Sequence, residues 1–239
     1  MSGFIDFHSH ILPSIDDGSQ SVGESIAMLQ MAAEQGIRHV IATPHFYAQY
    51  DTPEHFLQKR NEAESLLRDE MGKYKGLPQI SVGAEAYYFR GMSDSGAISE
   101  LTFADKKCIL VEMPPAPWTD SMYRELEAIY IKRELIPIIA HIDRYVRPLQ
   151  SFGIPKRLAE LPVLVQANAE FFLNKWTSGM AIHMLRTDKI HLLGSDCHNM
   201  RSRCPNLGQA VECIRRRLGE APINRIWETQ NSLFNNHDE

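Results

Sequence analysis

Ile5-Asp6-Phe7-His8-Ser9-His10 is the most informative segment of this chain. Its apolar residues lead into an Asp-x-His-x-His pattern, which predicts a buried strand that ends in histidines. Because side chains alternate along a strand, His8 and His10 lie on the same side. Two imidazoles placed in this way can chelate one metal ion, and a merely polar strand end is also compatible with the pattern.

Six further apolar segments lie downstream, and each is followed closely by a histidine, a carboxylate or an asparagine. These predicted strands, with the polar residues after them, are residues 39–43 with His45, 79–84 with Glu85, 107–111 with Glu112, 136–140 with His141, 162–167 with Asn168, and 190–195 with Asp196 and His198. Helical patterns cover residues 21–35, 52–74, 120–134, 169–187, 206–218 and 222–231. Strands that alternate with helices predict βα units and a parallel sheet.

The polar strand ends favour a closed barrel over an open sheet. In an α/β barrel the carboxyl ends of all strands meet at one mouth, where such enzymes carry their chemistry. A doubly wound open sheet, the alternative, gathers fewer strand ends at one point. The length of 239 residues suits one barrel. We therefore predict an α/β barrel that forms a single domain over residues 1–239.

Composition argues against several classes of protein. The net charge of −5 gives no indication of nucleic-acid binding. Without a run of about 18 apolar residues, the chain is not expected to be an integral membrane protein. Its start shows neither the basic segment nor the apolar core of a secretion signal. The cysteines at positions 108, 197, 204 and 213 are too few for a disulfide framework, so we expect reduced thiols and a cytoplasmic location.

The predicted mouth collects nine imidazoles and carboxylates as candidate metal ligands. They are His8, His10, Asp17, His45, Glu85, Glu112, His141, Asp196 and His198. Mixed nitrogen and oxygen ligands suit manganese, iron or zinc, and a structural zinc site would instead use cysteines. Nine ligands exceed the need of one ion, and several carboxylates repel one another unless cations neutralise them. The pattern therefore predicts two or three ions.

These segments resemble the motifs of a known superfamily. The motifs are Asp6-x-His8-x-His10, Asp16-Asp17-Gly18, Thr43-Pro44-His45, Gly83-x-Glu85, Glu112-Met113-Pro114, His141-x-x-Arg144-Tyr145 and Ser195-Asp196-x-His198-Asn199. Together they resemble the polymerase and histidinol phosphatase (PHP) superfamily, and within it the bacterial protein-tyrosine phosphatases that regulate capsule and exopolysaccharide synthesis. Carboxylates at Asp17 and Glu112, where many relatives carry histidine, favour that branch. Cys197 is a departure, because a small residue such as alanine is usual there.

The resemblance implies a distorted (β/α)7 TIM-like barrel with three divalent metal ions, most often manganese, with iron or zinc as alternatives. By position, the ligands of the first ion are His8, His10, Glu85 and Asp196. Glu85 bridges to the second ion, which Glu112 and His141 complete. Asp17, His45 and His198 bind the third.

The same resemblance implies a metal-dependent protein-tyrosine phosphatase, and we predict a metal-bridging hydroxide that attacks phosphorus without a phosphoenzyme. The implied substrate is the phosphotyrosine-containing tail of a bacterial tyrosine kinase that controls polysaccharide export. Arg144, Arg201 and Arg203 are candidates to bind the phosphate, since a guanidinium offers a fork of donors; each is also compatible with a surface role. The segment 87–89, Tyr-Tyr-Phe, can stack on the phosphotyrosine ring or pack in the core.

The same residues are also compatible with other functions. A histidinol-phosphate phosphatase, or another small phosphomonoesterase, would share the same metal chemistry. Cys197 and Arg203 have the Cys-x5-Arg spacing of cysteine-dependent tyrosine phosphatases, although no glycine lies between them. An amidohydrolase, a metal-dependent nuclease and a catalytically inactive barrel are further alternatives.

Overall fold

A computed structural model of the chain describes residues 3–105, 107–115, 117–146 and 153–234. Its strands, which pair in parallel, are β1 (Phe4–Ser9), β2 (Ile37–Ala42), β3 (His45–Phe46), β4 (Gln79–Val82), β5 (Glu85–Tyr87), β6 (Cys108–Glu112), β7 (Ile136–Ile139), β8 (Leu164–Asn168) and β9 (Leu192–Gly194). All seven predicted segments contain a strand, and the short strands β3 and β5 begin just after the predicted segments 39–43 and 79–84.

The strands form two hydrogen-bonded groups that together curl into a barrel. One group has the order β1-β2-β4, and the other has the order β3-β5-β6-β7-β8-β9. Backbone hydrogen bonds join β1 to the segment after β9, since the Asp196 N–H donates to the His8 carbonyl at 2.8 Å. The His10 N–H donates in the same way to the Cys197 carbonyl at 2.9 Å. The prediction of a distorted parallel α/β barrel is confirmed.

Helices connect the strands and cover the outside of the barrel. They are α1 (Val22–Glu34), α2 (Pro53–Met71), α3 (Asp120–Arg133), α4 (Gly153–Leu158), α5 (Ala169–Leu173), α6 (Ser178–Arg186), α7 (Leu207–Leu218) and α8 (Ala221–Phe234). The Thr52 hydroxyl accepts a hydrogen bond from the His55 N–H, and Pro53 occupies the first turn, so α2 begins where the sequence predicts. The predicted helix at 169–187 is divided, because Asn174 is extended.

Adjacent residues of one strand belong to different apolar clusters, so both faces of the sheet are buried. Leu110 and Ile138 pack with Phe7 and Leu192 in a cluster drawn from strands around the barrel. Their sequence neighbours, such as Val111, join a larger cluster that includes side chains of the surrounding helices. This arrangement explains the apolar strands of the sequence. It also leaves the carboxyl ends of the strands as the place where polar side chains gather.

In the part of the chain that the structure describes, no helix is long and apolar enough to cross a membrane. The assignment of residues 1–239 to one domain stays a prediction, and its ends, residues 1–2 and 235–239, lie outside the described residues.

Candidate metal centre

The structure brings all nine predicted metal ligands to the carboxyl end of the barrel. His8 and Glu112 lie near the ends of β1 and β6, His45 and Glu85 begin the short strands β3 and β5, and the loops that follow strands carry the others. Six of the nine are at most 4% exposed and Glu112 is 13% exposed, whereas Asp17 is 66% exposed. His45 is the remaining member, at 15%. The cluster is therefore mostly buried, with Asp17 on the side that faces solvent.

Four donor atoms converge on one point at the end of β1. The Nε2 atom of His8 lies 3.2 Å from Nε2 of His10, 3.1 Å from Oε2 of Glu85 and 3.5 Å from Oδ1 of Asp196. The Nε2 atom of His10 lies 3.3 Å from the same Glu85 oxygen and 3.6 Å from the same Asp196 oxygen. Ligands that are each about 2.1 Å from one metal ion are separated by roughly 3.0–3.5 Å, so this set has the spacing of one coordination sphere.

The remaining predicted ligands continue the cluster on both sides of Glu85. The Oε1 atom of Glu85 lies 2.7 Å from Nε2 of His141, which lies 3.5 Å from Oε1 of Glu112. His45 faces two ways: its Nδ1 lies 3.0 Å from Oε2 of Glu85, and its Nε2 lies 3.3 Å from Oδ1 of Asp17. His198 Nε2 approaches the same Asp17 oxygen at 3.4 Å.

Unpartnered atoms test whether these residues fit metal ions. Nine buried side-chain nitrogen and oxygen atoms of the described residues lack a hydrogen-bond partner, and six of them belong to predicted ligands. The six are His45 Nδ1, Glu85 Oε2, Glu112 Oε2, His141 Nδ1, Asp196 Oδ1 and His198 Nε2. Buried polar atoms normally find partners, so a concentration of exceptions indicates a missing ligand. The donor set and the unpartnered atoms therefore fit divalent cations.

The charges in the cluster are strongly coupled. Burial alone would raise the pKa of the Glu85 carboxyl, but the charge of His8 and hydrogen bonds from His10 and His141 hold it well below its usual value. Burial and the nearby charge of Glu85 raise the pKa of Glu112. Burial and the neighbouring His10 lower the pKa of His198 to about 4. Two carboxylates this close favour cation binding, because a cation relieves their repulsion.

Hydrogen bonds behind the ligands fix how two histidines are oriented. The Nδ1 atom of His10 lies 2.7 Å from Oδ2 of Asp16, a carboxylate that also accepts the backbone N–H of His45. The Nδ1 atom of His8 lies 3.3 Å from Oε1 of Gln166, which accepts the His141 N–H at 2.6 Å. Since both acceptors are oxygens, each Nδ1 donates a proton to its acceptor, and each Nε2 faces the ligand cluster.

These supporting residues were not predicted from the sequence. Asp16 stands beside a predicted ligand in the Asp16-Asp17-Gly18 motif, and its role depends on a contact that only the fold shows. Gln166 had a usable signal, because it is a polar residue inside an otherwise apolar strand. Asn168, at the end of the same strand, donates from its side-chain amide to Oδ2 of Asp196 at 2.9 Å. Both amides thus position predicted ligands.

Backbone strain and close packing are both found at the ligand cluster. His141 and Asp196 have positive φ angles of 32° and 53°, which non-glycine residues adopt rarely and mostly at functional sites. Gly194 precedes Asp196 and lies against β1. A Cβ atom there would lie 2.5 Å from Cβ of His8 and 2.8 Å from Nε2 of Gln166. Only glycine therefore allows the two strands to approach this closely.

The three predicted arginines occupy different positions. Arg144 donates to Oε1 of Glu112 at 3.1 Å and to Oδ2 of Asp196 at 2.9 Å. Arg203 forms an ion pair with the other Asp196 oxygen, and its Nη2 atom lies 2.7 Å from Oδ1. Both are about 40% exposed, and both line a cavity of about 280 Å³ beside the cluster. Arg201 is exposed, and its backbone N–H rather than its side chain contacts Asn199.

Cys197 does not have the environment of a catalytic cysteine. Its side chain is 2% exposed. Burial and the nearby Asp6 raise the pKa of its thiol far above the usual value, so the reactive thiolate does not form near neutral pH. Its neighbours Asp196 and His198 instead face the ligand cluster. The structure therefore argues against the cysteine-dependent mechanism.

Aromatic residues after β5 divide between the site and the core. Tyr87 lies at the end of β5, paired in register with Glu112. Tyr88 and Phe89 are half-buried and pack against the core of the protein. A larger hollow of about 660 Å³ lies away from the cluster, between the end of α1 and α7, where Gln35 and Cys213 line it. We assign the chemistry to the strand ends, because the converging donors are found there.

Known proteins are similar to this chain over most of its length. The sequence model of the capsular polysaccharide synthesis family CpsB/CapC matches residues 4–234. The tyrosine-protein phosphatase CpsB of Streptococcus pneumoniae is 30% identical over 93% of this chain and 94% of its own length. CpsB of Streptococcus agalactiae serotype V is 27% identical over 98% of this chain and 99% of its own. The tyrosine-protein phosphatase YwqE of Bacillus subtilis is 27% identical over 97% and 92%.

Solved structures are also similar to this chain. A chain from the crystal structures of Bacillus subtilis YwqE and Streptococcus pneumoniae CpsB, named as unique metal-dependent tyrosine phosphatases, superposes with a TM-score of 0.85 and 25% identity. The match covers 98% of this chain and 96% of that one. A phosphotriesterase homology protein from Escherichia coli, at a TM-score of 0.55 and 12% identity, shares the fold. This chain belongs to the CpsB/CapC family of capsular polysaccharide synthesis proteins.

Proposed function

We propose that this chain is a metal-dependent protein-tyrosine phosphatase that hydrolyses phosphotyrosine in a capsule- or exopolysaccharide-regulating system. The observation that carries the proposal is the arrangement of the His8 and His10 Nε2 atoms, which lie 3.2 Å apart and within 3.1–3.6 Å of carboxylate oxygens of Glu85 and Asp196. The relatives named above are tyrosine-protein phosphatases, and they match nearly the whole chain.

The nine clustered residues would hold three divalent cations, for which we favour manganese. His8, His10, Glu85 and Asp196 form the first set, Glu85 with Glu112 and His141 the second, and Asp17 with His45 and His198 the third. Spatial groupings of His8, His10 and Glu85, of His10, Asp17, His45 and His198, and of His45, Glu85 and Glu112 support sets that share residues. When bound, such cations neutralise phosphate oxygens and lower the pKa of water to near neutrality, which supplies the nucleophile.

The side chains of the protein bind and orient the substrate. Arg144 and Arg203 contact opposite oxygens of Asp196 and point into the same cavity, so their remaining N–H groups can hold the oxygens of a phosphate beside the cluster. Asp16 and Gln166 orient the imidazoles of His10 and His8 so that their Nε2 atoms are directed at the cluster. This preorganisation lowers the cost of reaching the transition state.

The partner that fits this activity is the phosphorylated tail of a bacterial tyrosine kinase, as the resemblance implies. A cytoplasmic location suits that partner. It is supported by cysteines that are free within the described part of the chain, as expected for a reducing compartment.

Phosphate release from a phosphotyrosine peptide tests the proposal. Metal content and turnover would be measured together, first as purified, then after chelation, and then after addition of manganese. We expect turnover to disappear with the metal and to return with it. Glu85→Gln keeps the shape of the side chain but removes its charge, so it should lose both metal and turnover. Glu62→Gln, on the exposed face of α2, is the matched control.

The outcomes distinguish a tyrosine phosphatase from a small-molecule phosphomonoesterase, the second candidate function. A protein that binds manganese and hydrolyses histidinol phosphate, but leaves phosphotyrosine intact, would be a small-molecule phosphomonoesterase of the same superfamily. A protein that binds no transition metal would contradict both functions.

A further inference from the structure

Two tyrosines continue the strands that carry two of the proposed metal ligands. His45 pairs with Glu85 in the parallel register of β3 and β5, and Phe46 pairs with Ala86. Because side chains alternate, Tyr47 and Tyr87 lie on the same side as His45 and Glu85, one step nearer the mouth of the barrel. The ring centroids of Tyr47 and Tyr87 are 5.6 Å apart. The aromatic rings thus form the next layer above the ligands.

Tyr47 links this layer to the surface. Its ring centroid is 5.3 Å from that of His45, and the two planes differ by only 31°. On its other side the ring of Tyr50 lies 6.2 Å away, at 61°. The Tyr50 N–H donates to the Tyr47 carbonyl at 2.9 Å, so a tight turn holds the two side chains together. The turn leads directly into the capped start of α2, which fixes its position.

A groove runs along these rings and ends at the proposed metal ligands. It has a volume of about 520 Å³, and its lining includes the proposed ligands Asp17 and His45 together with Tyr47 and Tyr50. Tyr50 is 84% exposed, which is unusual for a large aromatic side chain and leaves its face free to contact a ligand. Tyr47 is half-buried, so its position is fixed while part of the ring remains accessible.

We propose that Tyr47 and Tyr50 bind the aromatic ring of the phosphotyrosine substrate and thereby select aryl over alkyl phosphates. This inference rests on the proposed function. A phosphate group held at the ligand cluster leaves its ester substituent facing the mouth of the barrel, where these rings lie. Aromatic rings attract one another in tilted or offset arrangements at centroid distances of 4.5–7 Å. A serine or alkyl phosphate offers no face for that contact.

Substitution of the two tyrosines tests the proposal on the manganese-loaded protein. We would measure kcat/KM for a phosphotyrosine peptide and for the same peptide with phosphoserine. We would also measure the dissociation constants of inorganic phosphate and of the peptide's non-hydrolysable difluoromethylphosphonate analogue. For Tyr47→Ala, we expect the selectivity for the aryl substrate, and the affinity ratio of analogue to inorganic phosphate, to fall about tenfold, mainly through KM.

Two further variants separate ring contact from structural effects. Tyr47→Phe keeps the ring and should restore the selectivity. Tyr50→Ala changes an exposed side chain that folding does not need, so it should lower the same ratios even where Tyr47→Ala is poorly folded. Tyr130→Ala, on the exposed face of α3, is the matched control and should leave both ratios unchanged.

The wild-type measurement distinguishes failure of this inference from failure of the proposed function. Efficient hydrolysis of phosphotyrosine, combined with unchanged ratios in Tyr47→Ala and Tyr50→Ala, would overturn the ring-binding role alone. A loss of aryl selectivity in Tyr47→Phe as large as that in Tyr47→Ala would also overturn it. The hydroxyl group, and not the face of the ring, would then determine the selectivity. A wild-type protein that ignores phosphotyrosine but hydrolyses phosphoserine would contradict both.

Discussion

Asp16 accepts a hydrogen bond from Nδ1 of His10 at 2.7 Å, and the opposite nitrogen of this imidazole faces the ligand cluster. The carboxylate also accepts the backbone N–H groups of Gly18 and His45, so it ties three parts of the site together. Removal of a residue that orients a metal-binding histidine in this way typically weakens metal binding by about 10–100-fold.

Asp16→Ala should therefore weaken manganese binding by about 10–100-fold while the protein remains folded. Isothermal titration calorimetry, in which manganese is added to the metal-free protein, measures the affinity for manganese directly. Asp69→Ala, at an exposed position of α2, is the control for the loss of one negative charge. An affinity in Asp16→Ala equal to that of the control would mean that the His10 contact is not needed for metal binding.

The arginines should differ in their effects on catalysis. Arg144→Ala and Arg203→Ala each remove a guanidinium next to Asp196, and a hydrogen bond to a charged group contributes about 1.5–3 kcal/mol. We expect kcat/KM for a phosphotyrosine peptide to fall by about 10–100-fold in each, measured by steady-state kinetics. Arg201→Ala should behave like the wild type, since its side chain is exposed. Equal losses in all three variants would favour a general effect of positive charge instead.

Cys197→Ala should retain turnover. The thiol is buried and protonated, so its loss removes packing and not a nucleophile. The expected cost is about 1 kcal/mol of unfolding free energy, measured by urea denaturation. Cys204→Ala, at a half-buried position, provides a comparison. Loss of turnover in Cys197→Ala with the metal still bound would revive the cysteine-dependent mechanism.

Gly194→Ala should destabilise the protein, because the new methyl group would overlap His8 and Gln166. Overpacking of this kind costs about 1–3 kcal/mol, which urea denaturation can resolve. The displaced His8 should also lower manganese affinity. Gly179→Ala is the matched control: it lies in α6, where nothing lies within 4 Å of the new Cβ atom, and alanine favours a helix over glycine. Equal stability of the two variants would show that the strands can separate without cost.

The sequence predicted most of the fold, because the strands are short, apolar and separated by clear helices. Each predicted strand segment is present, and the nine candidate ligands lie together. The ligand prediction succeeded because the carboxyl ends of all strands lie on one side of a parallel barrel. A position near a strand end in the sequence therefore implies a position at that side of the barrel. The division of the helix predicted at 169–187 was not visible, since helical propensity does not report the extended conformation of Asn174.

Residues that act through long-range contacts could not be predicted in the same way. Gln166 is distant in sequence from His8, and their hydrogen bond depends on the closing of the barrel. Tyr47 was not predicted, because its importance follows from the contact of its ring with the ring of Tyr87, which only the fold brings about. The sequence alone also did not distinguish Arg203 from Arg201, two residues apart on one loop, since only the direction of each side chain separates them.

The ligand cluster spans a boundary in the barrel. His8 belongs to the strand group that contains β1, whereas Glu85 belongs to the group that contains β5. A cation held by both would join the two groups as a reversible cross-link. A ligand at 100 times its dissociation constant stabilises a folded protein by about 2.7 kcal/mol. The supply of metal in the cell would then set how much folded enzyme survives proteolysis, in addition to how fast each molecule works.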